Sequence, residues 1–161
     1  MKAISRPTFY LQMTALLLAL ALPRSSAAAK ELPFHGTIDG MEIADIRVPK
    51  IFVDGSGSGT GTHLGRFDLA YELEVDLLTL PFETFGAAVF TAANGDSIFT
   101  DIIGRGTPLA DANIVSVREE HVITGGTGRF AAASGSFIRT YLLNRTSGIT
   151  SGSFEGTIVL H

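Results

Sequence analysis

The chain has 161 residues, no cysteine, no tryptophan and a formal charge of −4. That length fits one domain with a short leader. The missing cysteines exclude a disulfide-stapled miniprotein, and the acidic balance excludes a nucleic-acid binder held by a basic face.

Residues 1–29 read as a secretory signal peptide. Lys2 and Arg6 make a basic start, and six leucines lie between Leu11 and Leu22. Pro23 ends the apolar stretch, and Ala27-Ala28-Ala29 supplies a small-residue cleavage pattern. The stretch is too short for a spanning helix, which needs about 20 apolar residues. The segment carries three bases and no acid, so the remaining chain has a charge of −7 and keeps all 18 glycines. A secreted or periplasmic product, cleaved near Ala29, is expected, with residues 30–161 as a single domain. Export favours disulfides. Without them, closure of a sheet into a barrel is the means expected to protect the edges.

Phe34 to Asp39 and Ile43 to Val53 read as short strands. Gly55 to Thr62 (GSGSGTGT) lacks the spacing of a phosphate loop, and no helix follows it. It reads as a flexible loop. Phe67 to Leu77 alternates without a break. Phe67, Leu69, Tyr71, Leu73, Val75 and Leu77 share one face, while Asp68, Glu72, Glu74 and Asp76 share the other. Period two over this length is a strand with one wet, acidic face. Residues 86–93 and 97–104 flank Asn94-Gly95 as a hairpin, and Pro108 falls in the loop beyond. Residues 113–124, 134–144 and 153–160 complete the set, with Thr146-Ser147-Gly148 separating the last two. Gly36, Gly135 and Gly156 suit the bends of a small barrel. No segment carries a helical apolar repeat. The expectation is an all-β chain: an antiparallel closed barrel of about eight strands. Such an interior is either packed or holds one small ligand.

Glu119 and His121 share a strand face with Val115, Val117 and Ile123, and the opposite face is more polar. That face is expected inward, where the pair would be a desolvated acid–base couple and the candidate catalytic residues. Phe137, Arg139, Tyr141 and Leu143 share a face of the next strand. Arg139 with Tyr141 could bind an anionic group, although charged residues of this kind are ordinarily on the surface. The four histidines show no metal-ligand spacing, so no metal and no cofactor are expected. The acids at 68–76 read as solvation and protection against aggregation. Asn144-Arg145-Thr146 fits a glycosylation sequon, relevant only in a eukaryotic secretory pathway.

Thr124-Gly125-Gly126-Thr127-Gly128-Arg129-Phe130 resembles the phosphate loop of nucleotide-sugar epimerases. That loop needs a strand-helix-strand unit, which this part of the chain lacks. With Ala131 to Gly135, the same segment resembles the GGTG-x-F-x-x-A-x-G turn of plant dirigent proteins and of the allene oxide cyclase barrel group. HLGRF at 63–67 and TAANGD at 91–96 extend the resemblance to small exported bacterial barrels of that kind. The resemblance implies an eight-stranded antiparallel barrel used as a shaped apolar pocket. It also implies that Gly125, Gly126, Gly128 and Phe130 form a fold-determining turn, with Phe130 plugging one end.

Two readings of function stay open. One is a non-catalytic barrel, binding a small hydrophobic molecule or serving as a structural module. The other is a cyclase, isomerase or stereo-directing enzyme of the allene oxide cyclase or dirigent type. An outer-membrane barrel is the third and weakest reading, because the chain has only three tyrosines and ends Val159-Leu160-His161 without an aromatic residue. No stable membrane insertion and no nucleic-acid partner are expected, and the residues leave the oligomeric state open.

Overall fold

A computed structural model describes residues 29–161. The leader reading therefore falls outside the described residues, except for Ala29. Eight strands follow in order: β1 (Lys30–Arg47), β2 (Lys50–Gly61), β3 (Gly65–Asp76), β4 (Phe82–Ala92), β5 (Ser97–Pro108), β6 (Ile114–Gly126), β7 (Ser134–Asn144) and β8 (Ile149–Leu160). Each pairs antiparallel with its neighbour, and β8 returns to pair with β1, closing the barrel. Closure pairs every strand on both sides, so no edge remains to template aggregation.

Several boundaries differ from the sequence expectation. The expected strand at 43–53 straddles the turn between β1 and β2, with Arg47 paired to Lys50 across it. Phe34 to Asp39 is only part of the 18-residue β1. Pro108 ends β5 rather than lying in a loop, and β8 begins at Ile149 rather than at residue 153. The largest correction is the glycine-rich run. It is not a flexible loop; it is most of β2. Its period two is real, but glycine stands where an apolar side chain would be. The inward glycines leave room for rings from neighbouring strands. A Cβ on Gly55 would lie 2.0 Å from the Tyr71 ring, and one on Gly59 would lie 2.8 Å from the Phe67 ring. Glycine in a strand here marks close approach.

One end of the barrel is closed. Phe34, Phe67, Phe90, Phe137 and Phe154 fill it with tilted and edge-on rings, such as Phe34–Phe154 at 4.9 Å and Phe90–Phe137 at 5.5 Å between centroids. Beyond them, Phe130 in a short 3-10 turn (Gly128–Phe130) is fully buried, which makes it the plug that the GGTGRF turn implied. The three sequence motifs meet at this end. Thr127 donates its N–H to the Ser97 carbonyl at 2.8 Å, and its hydroxyl accepts from the Ser97 N–H at 2.9 Å. Gly128 has φ +53, and a Cβ there would lie 1.8 Å from the Asp96 carboxylate. Leu64 of the HLGRF turn is buried beside them.

The outer wall alternates with the inner one. Asp68 and Glu72 are exposed as expected, and Asp101, Arg118, Glu120 and Glu155 are exposed on other strands. Charges distributed around mid-barrel interrupt the continuous apolar band that a lipid-facing barrel requires.

Candidate functional site

The strands present different residues to the other end. Moving from the closed end, β3 offers Phe67, Leu69, Tyr71, Leu73 and Val75, and β7 offers Phe137, Arg139, Tyr141 and Leu143. On this inward face each strand ends in leucine or valine beyond its tyrosine, and a cavity of about 500 Å³ is left there. Its walls are aliphatic, with Ile51, Val53, Leu73, Val75, Val115, Val117 and Leu143 among the lining residues. Arg145 and Ser147, both exposed, lie at its mouth. The size and lining are those of a small-molecule site: apolar walls with a few polar groups.

The polar groups form a layer between the cavity and the aromatic half. Register builds it. Glu119 stands directly opposite Arg139 across β6 and β7, and Glu42 is aligned through Gly55 with Tyr71 across β1, β2 and β3. Arg139 donates from Nη1 to Glu119 Oε2 at 3.3 Å. Its guanidinium lies 4.0 Å from the Tyr141 ring centroid and 4.8 Å from that of Tyr71. Tyr141 Oη lies 2.9 Å from Glu42 Oε1 and 3.0 Å from Glu119 Oε1, and Tyr71 Oη lies 2.9 Å from the same Glu42 oxygen. Thr84 lines the cavity with its hydroxyl oxygen buried, the Arg139 Nε lies buried in this layer, and both atoms lack a hydrogen-bond partner.

Glu119 and His121 point inward and are fully buried, as the face argument expected. Neither lines the cavity, however. They lie in the buried layer beneath it, where Glu119 meets Tyr141, a residue that does line the cavity. Arg139 and Tyr141 are buried rather than on the surface, and of the two only Tyr141 lines the cavity. Sequence reasoning missed Glu42 and Thr84.

Burial sets the protonation states. Desolvation pushes His121 below its ordinary value, so the ring is neutral. Thr100 Oγ1 lies 2.9 Å from Nδ1, and Glu119 Oε2 lies 3.4 Å from Nε2. A carboxylate only accepts, so Nε2 carries the hydrogen and Nδ1 accepts from the threonine. The ring stacks on Phe137 at 4.6 Å. Desolvation also pushes Glu119 upward, but the His121 hydrogen bond, the Arg139 charge and the Tyr141 hydroxyl outweigh it, and its pKa falls. Burial raises Glu42, against its hydrogen-bond contacts with the two tyrosines. It also raises both tyrosines, which remain phenols.

No family model and no curated protein matches the chain. Solved structures do match. One is a pterocarpan synthase dirigent protein, 13% identical with a TM-score of 0.54, covering 96% of this chain and 99% of that one. A second pterocarpan synthase dirigent protein is 14% identical with a TM-score of 0.53, covering 82% of this chain and 96% of that one. At such identities the likeness is one of fold. The dirigent-type barrel implied by the GGTGRF turn is the architecture of this chain.

Proposed function

We propose that this chain is an exported β-barrel that binds one small, largely apolar molecule in its open half. The observation that carries this reading is the cavity itself, about 500 Å³ with aliphatic walls above a buried polar floor. A structural module without a ligand has no use for that space, since voids beyond the size of a water molecule are few in packed interiors. The export part rests on the leader pattern of residues 1–29.

The direct test fills the cavity. Val117→Trp places an indole between Val115 and Tyr141, beside the floor. The variant is expected to fold, with a loss of about 1–3 kcal/mol for overpacking, and to bind naphthalene at least ~10-fold more weakly by titration calorimetry. Unchanged naphthalene affinity, or no binding by the parent protein, would sink the reading.

A second reading is stereo-directing or cyclising chemistry on the bound molecule. Its support is the carboxyl group of Glu42 at the cavity, beside Tyr141, together with the pterocarpan synthase activity of the two dirigent proteins of similar fold. In this reading Glu42 and Tyr141 touch the ligand. Glu119 and His121 are positioning residues that hold Arg139 and Tyr141.

A further inference from the structure

The floor contains a hydrogen-counting problem. Three short contacts join oxygens: Tyr71 to Glu42, Tyr141 to Glu42 and Tyr141 to Glu119, at 2.9, 2.9 and 3.0 Å. Each needs one hydrogen between its two oxygens. A phenol supplies one hydrogen, and a carboxylate supplies none. Two tyrosines therefore account for two contacts. The third hydrogen must sit on a carboxyl group.

Charge decides which one. Glu119 faces the Arg139 guanidinium at 3.3 Å and accepts from His121 Nε2. An opposite charge at this range holds a carboxyl ionised. Glu42 makes no ion pair of its own, and the buried cation that acts on it is Arg139. The inward residues around it are Gly55 and Val53 on β2, Tyr71 on β3, Thr84 on β4, Glu119 and His121 on β6, Arg139 and Tyr141 on β7, and Thr150 on β8. Arg139 is the one buried cation among them, and it is already matched by Glu119; Arg145 is exposed at the cavity mouth. The hydrogen therefore runs from Glu42 Oε1 to Tyr141 Oη, and Tyr141 in turn donates to Glu119. Tyr71 donates to Glu42.

We propose that Glu42 is a neutral carboxylic acid, and that the floor takes an uncharged hydrogen-bond-accepting oxygen, such as a carbonyl or ether, at the buried end of an apolar ligand. The ligand part rests on the binding function proposed above; the proton does not. The donor that would meet the ligand oxygen is the Thr84 hydroxyl: the residue lines the cavity, its oxygen is buried against Gly104 without a partner, and rotation about χ1 exchanges that oxygen with the methyl group. A buried donor without an acceptor is costly, and a ligand oxygen removes that cost. An anionic group at the same depth gains no such match. With Glu42 neutral, Glu119 and Arg139 cancel, and a carboxylate would be desolvated without a free counter-charge.

The test uses the full barrel, 13C-labelled at glutamate carboxyls, and three probes with one apolar body: naphthalene, 2-acetylnaphthalene and 2-naphthoate. One carboxyl resonance is expected to stay protonated at neutral pH and to vanish in Glu42→Gln, which keeps the side chain's shape and carries no carboxyl proton. If the Glu42 carboxyl titrates in the ordinary carboxylate range, the proton assignment is overturned whatever binds. Among the probes, 2-acetylnaphthalene is expected to bind tightest, and 2-naphthoate at least ~10-fold more weakly. In Thr84→Val the acetyl probe is expected to lose its advantage over naphthalene. Naphthoate binding as tightly as the ketone overturns the ligand class while leaving cavity binding intact. If no probe binds, the binding function and the ligand class fail together, and the carboxyl titration still decides the proton.

Discussion

The two ends of the barrel are built by the same eight strands with the same inward alternation, yet one is solid and the other hollow. The closed end holds five phenylalanines in mutual contact and is sealed by Phe130 and Leu64. The open end presents valines, leucines and isoleucines from the same strands, and these do not reach across. Val115, Val117 and Tyr141 even form a separate apolar cluster, because the cavity parts them from the main core. Strand direction and closure are thus common to both ends, and side-chain size alone decides where space is left. The closed end stabilises the barrel, and the open end is free to be shaped for a ligand.

Truncation should separate the ends most sharply. Phe130→Ala removes a fully buried ring from the plug and is expected to cost about 3–5 kcal/mol by urea denaturation. Val117→Ala at the cavity wall should cost about 1 kcal/mol or less, because that site already borders open space. Equal costs would erase the distinction between the ends.

The polar layer between them can be broken next. Arg139→Met leaves Glu119 buried without its cation and should cost about 3 kcal/mol or more. Adding Glu119→Gln to that variant should recover much of the loss. No recovery in the double variant would mean that the two residues act separately.

Acid should loosen the same layer with a defined sign. His121 is neutral in the fold and has its pKa below 6.5 there, so the unfolded chain takes up a proton first. Its contribution is full above 6.5 and is lost as pH falls through that value toward the folded pKa. Glu119, also lowered, adds a loss below 4.5. Glu42 works in the opposite sense: its raised pKa makes the fold less stable as pH rises above 4.5. Urea midpoints measured from acid to neutral pH should therefore rise through the His121 window, and His121→Gln should flatten that rise.

The smallest effect belongs to the outer wall. Lys50 and Glu74 form an ion pair there with both side chains substantially exposed. Glu74→Ala should change stability by less than about 1 kcal/mol, and salt should reduce even that. A larger cost would show that the exterior contributes to holding the open end.

The closed end was the legible one. HLGRF, TAANGD and TGGTGRF are local turns whose glycines and small residues state their own geometry, and all three lie at that end. The glycine run of β2 misled because its inward face is empty, and the rings that fill it come from β3 and from β8. Arg139 read as a surface residue because isolated charges avoid interiors. Its burial depends on Glu119 standing opposite, which only the β6–β7 register reveals. Glu42 was hidden by an inverted pattern. Met41 and Ile43 on either side of it are exposed, 49% and 67%, while the acid turns inward. The signal that could have found it was parity: counting by twos from Phe34 and Ile38 arrives at Glu42.

The sequence by itself determined the strand alternation, the antiparallel closed barrel and the plugged turn, because period, turn chemistry and the lack of helical repeats are local properties. The tertiary structure decided which end is hollow and which polar groups meet there. Glu42, Thr84, Glu119, Arg139 and Tyr141 come from four different strands, and only closure and register bring them to one floor.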